Sequence, residues 1–260
     1  MTTLRDRWAN GDATLGAWLS LPSVLAAETT ARVGFDYVCA DLQHGALDYS
    51  DSVGLFQAVV VGGSTPIVRV PWNEPGVVGK VLDAGAEAVI APMVNTQAEA
   101  AALVRFARYP PQGARSFGPV VAGIRAASYH ATANDRVAVV PMIETVEALS
   151  NLDEILAVPG VDAIYVGPAD LSLSLGLPPG NNDDASSFTE ALETIVAACR
   201  RHGVVAGIHS SGALTPRRLE QGFRMITVTA DAVAMRIGLV GELDAARRAP
   251  GDSTTGGALY

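Results

Sequence analysis

Four short stretches of this sequence end an apolar run on a residue able to do chemistry. FDYVCA passes into DLQHG with Asp41 and His44, and IVRV carries Arg69 just before PWNEP. VVPMIE ends on Glu144, and IYVGPAD leads through Gly167, Pro168 and Ala169 to Asp170. Each has an ordinary structural explanation in isolation. An acid beside a helix start is favoured by the helix dipole, an arginine at a strand end can pair with a neighbouring acid, and an Asp…His turn can be a solvated loop. A base, a cation and several carboxylates at one end of successive strands are harder to explain as four unrelated caps.

The chemistry that suits this set is metal-assisted. Glu144 and Asp170, with no Cys or His ligand beside them, suit a hard octahedral ion such as Mg2+ or Mn2+, which keeps positions open for water and a chelating substrate. A 2-oxo acid is such a substrate: the ion would polarise its keto group, and Arg69 would steady the enolate oxygen. The N–H groups of the GPAD turn could receive the substrate carboxylate, and a histidine titrates close enough to neutrality to move a proton.

These residues need a scaffold that brings strand ends together. Strands are predicted at 14–20, 35–40, 65–70, 87–93, 136–144, 161–167, 203–208 and 224–230, from short apolar, β-branched runs. Helices are predicted between and after them at 22–32, 50–61, 75–84, 96–107, 145–157, 186–202, 215–222 and 231–247. Asn95 and Thr96 can cap the fourth, and Gly203 follows the sixth. Eight near-continuous apolar strands, each followed by a helix, predict an α/β fold of the closed (β/α)8 TIM-barrel type, with its active site at the C-terminal strand ends. Residues 1–250 are expected to form one barrel domain and 251–260 a flexible tail. The Pro-, Gly- and Arg-rich stretch 108–135 is long for a connection and is expected to be an active-site loop or lid.

The same segments resemble the metal-dependent (class II) pyruvate aldolases of the HpcH/HpaI family, 4-hydroxy-2-oxoheptanedioate aldolase type. FDYVCADLQH, VRVPWNEP, LDAGAEAVIAPMV, RYPPQGARSFG, MIET and VGPADLSLSLG carry the resemblance in order along nearly the whole chain. It implies reversible aldol cleavage of a 4-hydroxy-2-oxo acid to pyruvate and an aldehyde, with a divalent ion (Mg2+, Mn2+ or Co2+) as cofactor. It implies Glu144 and Asp170 as metal ligands, His44 as catalytic base, Arg69 as enolate stabiliser and Ala169 as a backbone contact to substrate. Asp41 would orient His44, and Asp83 would raise its basicity across a subunit boundary. Met142 stands where several relatives carry a substrate-contacting glutamine. The resemblance also implies a homo-oligomer, hexamer or trimer, with C-terminal helices exchanged between subunits. Substrate contacts are further expected from Trp72, Arg115 and the segment 209–214.

Composition narrows the alternatives. The 260 residues are 49% hydrophobic, with 27 acidic against 18 basic side chains and a formal charge of −9. Such a balance disfavours nucleic acid as a partner, and no apolar run is long enough to suggest a membrane span. Neither of the two cysteines, Cys39 and Cys199, belongs to a CxxC; both read as buried thiols, and a cytoplasmic location is expected. Two rival readings are a CoA-thioester lyase of the malyl- or citramalyl-CoA type, whose barrels usually lack a histidine in the DLQH position, and a catalytically idle barrel kept for binding or assembly.

Overall fold

The computed structural model describes residues 2–248, so the expected tail at 251–260 lies outside the described residues. A short helix α1 (Leu4–Ala9) precedes β1 (Thr14–Leu19), α2 (Val24–Arg32), β2 (Tyr37–Asp41), α3 (Tyr49–Gly62) and β3 (Thr65–Arg69). There follow α4 (Pro75–Asp83), β4 (Ala88–Ala91), α5 (Gln97–Ala107), α6 (Val120–Arg125), α7 (Tyr129–Arg136) and β5 (Ala138–Ile143). The chain continues through α8 (Val146–Ser150), α9 (Leu152–Leu156), β6 (Ala163–Val166), α10 (Pro168–Ser174) and α11 (Ser186–His202). It closes with β7 (Val205–His209), α12 (Thr215–Gln221), β8 (Met225–Ala230) and α13 (Asp231–Arg247). The eight strands are parallel, pair in sequence order and close through β1 against β8. This is the expected (β/α)8 barrel.

Alternation along each strand sorts the side chains into two cores. Val38, Ala40, Val68, Val89 and Ile164 point outward and pack under the helices. Their neighbours Tyr37, Cys39, Ile67, Ile90 and Tyr165 point inward and fill the barrel, as a period of two requires. Leu4 and Trp8 of α1 join this inner core from the N-terminal end, where Trp8 Nε1 donates to Thr14 Oγ1 at 3.0 Å. The N-terminal helix therefore plugs the barrel opposite the strand ends that carry the chemistry.

Several boundaries differ from those predicted, each for a local reason. β2 begins at Tyr37 rather than 35 because Asp36 turns aside, accepting from Leu15 N and pairing with Arg7. It runs on to include Asp41. The helix predicted over 145–157 breaks at Asn151, whose Nδ2 donates to Asn95 O at 2.8 Å. The GPAD stretch is a first helical turn, with Gly167 as N-cap and Pro168 at N1.

The stretch 108–135 corrects the expectation of a lid over the site. It connects the end of α5 to the start of β5, so it belongs to the N-terminal side of the barrel, opposite the rim. It is also structured, with α6 and α7 inside it. Tyr109 N and O bond the Asn134 side chain, and Tyr129 Oη donates to Leu82 O.

Candidate active site

Strand register builds the centre of the site. Asp41 and Arg69 are direct partners in the β2–β3 ladder and share the inward-facing parity of Cys39 and Ile67. Arg69 Nε donates to Asp41 Oδ1 at 2.8 Å, and Nη2 to Oδ2 at 2.6 Å. Such a planar fork fixes the guanidinium in angle as well as distance. Burial alone would raise the Asp41 pKa, but the hydrogen bonds and charge of Arg69, with the His44 N–H, hold it below the ordinary carboxylate range. Nη1 of Arg69 has no hydrogen-bond partner among the described residues, so one edge of the fork is left for a ligand. The other face of Arg69 lies over the Trp18 ring, 5.3 Å from its centroid.

Asp41 also builds the turn that carries the histidine. Its Oδ1 accepts from the backbone N–H of Gln43 and of His44, at 3.1 and 3.2 Å. His44 itself is exposed on the rim. Asp41 thus acts on His44 through the backbone of the turn, while Arg69 bonds both of its carboxylate oxygens.

Across the barrel mouth, Glu144 is buried, and its Oε1 accepts from Met93 N at 2.8 Å. Met93 holds a φ of 55°, a left-handed conformation uncommon for a residue with a side chain, which aims its amide at the carboxylate. Oε2 is buried with no hydrogen-bond partner. Burial pushes the Glu144 pKa up to about 7; the Met93 N–H opposes this, the charge of Asp170 adds to it and that of Arg69 offsets part. Asp170 is exposed in the first turn of α10.

An orphaned buried oxygen and a second carboxylate raising its pKa are the features a hard divalent cation would neutralise, with water and substrate completing its shell. Among the described residues no group of three or more His, Cys, Asp and Glu side chains converges. Glu144 and Asp170 would supply two oxygens to such an ion and leave its other positions to water and substrate, which fits the expected ion.

Space for Glu144 comes from Gly167. Met142 of β5 is in register with Tyr165 of β6, so Glu144 and Gly167 face each other two residues on. A Cβ at Gly167 would overlap Glu144 Oε2 and come within 3.0 Å of Met142 Cε. Met142, buried beneath, floors the site, while Pro168 is buried, Ala169 exposed, and Trp72 exposed on the loop after β3.

Two predicted residues lie elsewhere within the chain. Asp83 ends α4, and Arg115 lies in the connection towards β5; they pair at 2.6 Å, with the Arg115 side chain fully buried. Arg115 also packs over the rings of Tyr109 and Tyr129 at 4.5 and 5.5 Å. The expected substrate contact of Arg115 is therefore not made at this chain's own rim: its charge is committed to Asp83 and its planar faces to two tyrosines. Asp83 lines an outer groove with Pro75, Lys80 and Phe117 and does not meet its own His44.

One residue of the site, Trp18, was missed in the sequence, and His209 was expected only as the first residue of the segment 209–214. Trp18 stacks on Tyr165 at 5.4 Å and meets the edge of His209 at 5.2 Å. Burial, reinforced by the charge of Arg69, lowers the His209 pKa to about 4, so this imidazole is neutral at physiological pH. Both have inward parity at the ends of β1 and β7, and counting in twos from the buried strand centres would have found them.

Comparison with known proteins follows this geometry. The profile of the HpcH/HpaI aldolase/citrate lyase family matches residues 14–236. The chain is 41% identical over 236 residues to a hydroxypyruvate/pyruvate aldolase of Rhizorhabdus wittichii, covering 89% of this chain and 93% of the relative. It is 36% identical over 239 residues to a 4-hydroxy-2-oxo-heptane-1,7-dioate aldolase of Klebsiella pneumoniae subsp. pneumoniae, covering 90% and 89%. Among solved structures, an HpcH/HpaI aldolase/citrate lyase family protein from Burkholderia cenocepacia superposes with a TM-score of 0.88 at 34% identity, over 95% of this chain and 100% of that one.

Proposed function

The chain belongs to the HpcH/HpaI aldolase/citrate lyase family, and from that membership we propose that it is a divalent-metal-dependent aldolase, reversibly cleaving a 4-hydroxy-2-oxo acid into pyruvate and an aldehyde. The names of its relatives support aldol chemistry on 2-oxo acids. The observation that carries the metal-dependent reading is Glu144: a buried carboxylate with one unpartnered oxygen, its pKa raised in part by the charge of Asp170.

A hard divalent ion held by Glu144 and Asp170 supplies Lewis-acid charge at the oxygens of a bound 2-oxo acid. The protein's own groups do the rest. His44 takes the proton from the C4 hydroxyl as the C3–C4 bond breaks. The electron pair of that bond becomes a C2=C3 double bond as the carbonyl π pair moves onto the C2 oxygen, where Arg69 Nη1 donates as negative charge develops. Asp41 keeps the guanidinium from rotating away, and Trp18 backs it. The N–H groups of Ala169 and Asp170 receive the substrate carboxylate. Once the aldehyde has left, the proton that His44 took from the hydroxyl is returned to C3, which completes pyruvate and regenerates the neutral base. Asp83, facing an outer groove, acts on a histidine only from a neighbouring subunit, so the reading includes a homo-oligomer. Its expected location is the cytoplasm; no described helix is long and apolar enough to cross a membrane.

The test is pyruvate release from 4-hydroxy-2-oxo acids by EDTA-treated protein, with Mg2+, Mn2+ or Co2+ added back and malyl-CoA run in parallel for glyoxylate release. Activity restored by the ion, and lowered by roughly 10²- to 10⁴-fold in His44→Ala, supports the proposal. Cleavage that survives complete metal removal, or turnover of malyl-CoA alone, overturns it.

A further inference from the structure

Arg218 of α12 is among the largest fully buried side chains, and no step of the mechanism uses it. Its Nη2 donates to Asn181 Oδ1 at 2.8 Å and to Asp183 Oδ2 at 3.0 Å, and its Nη1 lies 2.8 Å from Asp183 Oδ1. Nη1 also donates to Gln221 Oε1 at 2.8 Å. Both acceptors Asn181 and Asp183 lie in the loop between α10 and α11. A buried charge persists only where it is paired this closely, and removing one partner strands the other.

The loop so held is tied in turn to α10. Asn182, between the two acceptors, donates from Nδ2 to Ser172 Oγ at 2.8 Å and to Pro178 O at 2.7 Å. Ser172 Oγ donates to Gly180 O at 2.8 Å, and Ser172 is fully buried. Two residues on, Ser174 Oγ accepts from the N–H of Val146, itself two residues past Glu144. The short helix α10 is thereby fixed at one side to the loop that Arg218 holds and at the other to the segment that bears Glu144. Asp170 rides on this helix, two residues before Ser172.

We propose that Arg218, through Asn182 and Ser172, is a positioning residue that sets where Asp170 stands relative to Glu144 and so sets the affinity of the site for a divalent cation. The inference rests on the cation reading of that pair. Arg218 touches no reacting atom; its effect passes through the loop and the helix. Groups hydrogen-bonded directly to metal ligands typically change affinity by 10- to 100-fold when removed, and an effect relayed through a loop and a helix is expected at the lower end of that range.

The test measures Mn2+ dissociation constants by electron paramagnetic resonance of free Mn2+, without substrate, alongside Tm. Asn182→Ala and Arg218→Met are expected to raise the constant about tenfold, with Arg218→Lys, which keeps a charge against Asp183, in between. Trp8→Ala, destabilising from the far end of the barrel, should lower Tm and leave Mn2+ binding unchanged. If Arg218→Met does not fold, Asn182→Ala decides the matter. Folded variants that bind Mn2+ within twofold of the parent overturn the proposal, as does a Trp8→Ala protein weakened to the same degree. Asp170→Asn separates the two levels: if it too binds like the parent, or if the parent does not bind Mn2+, the cation reading itself fails and takes this inference with it.

Discussion

At the scale of single residues, the site depends on one absent side chain as much as on those present. Gly167 faces Glu144 across the β5–β6 register, and any Cβ there would displace the carboxylate or the Met142 methyl. Gly167→Ala should therefore fold, because the strain falls at the open rim, but should lose about 10²-fold in kcat/KM, the usual consequence of misplacing a site group by about 1 Å. Steady-state pyruvate release, with circular dichroism as the folding control, checks this; activity within threefold of the parent would remove Gly167 from the site. Asp41, Arg69, Glu144 and Asp170 were legible in the sequence because each interrupts an apolar run with a charge. Trp18 was not, because an aromatic residue blends into an apolar strand, and His209 was legible only as the start of the segment 209–214; the inward parity of the strand marks both. The pairing of Asp41 with Arg69 was hidden too, since it follows from ladder register, which no single strand encodes.

At the scale of elements, strand number and order were readable because parallel barrel strands are buried on both faces and stand out as continuous apolar runs. The short helices were not. α6 and α7 lie inside a Pro- and Gly-rich stretch, and their placement comes from tertiary contacts such as Arg115 with Asp83 and Tyr129 with Leu82. α1 was missed for a similar reason: its six residues carry two apolar anchors, too few to register as a periodic pattern. Those anchors predict its worth. Trp8→Ala removes a buried indole from the barrel floor and its hydrogen bond to Thr14, and should cost about 3–5 kcal/mol. Urea unfolding followed by fluorescence measures it. A loss under about 1 kcal/mol would mean that α1 covers the barrel without sealing it.

At the scale of the whole molecule, two properties follow from groups that the barrel places under constraint. The first is pH dependence. His209, with its pKa depressed to about 4 from an ordinary 6.5, is neutral in the folded state. Its contribution is fully present above pH 6.5 and is lost as pH falls through 6.5 towards 4, because the unfolded chain takes up the proton first. The loss is at most about 3 kcal/mol. His209→Phe should flatten the decline of Tm across that window, and an unchanged slope would place the cause in other groups. The second property is assembly. Asp231 anchors the start of α13 by accepting from the N–H groups of Ser20 and Leu21 at 2.9 and 3.2 Å. Beyond it no residue of this 17-residue helix is buried, and Val233, Met235, Ile237, Leu239 and Leu243 are all exposed. Most of a helix's stability in a protein comes from packing its apolar side chains, and these are left exposed. The resemblance implied a helix exchanged between subunits, and an apolar surface with no partner among the described residues is what such an exchange requires. The parent should therefore elute, by light scattering, at a multiple of its 26.9 kDa chain mass, and Ile237→Glu with Leu239→Glu should shift it to a smaller species. On the proposed role of Asp83 across a subunit boundary, the dissociated variant should also lose activity while keeping its barrel fold. A parent that elutes as a monomer with full activity would break both links at once.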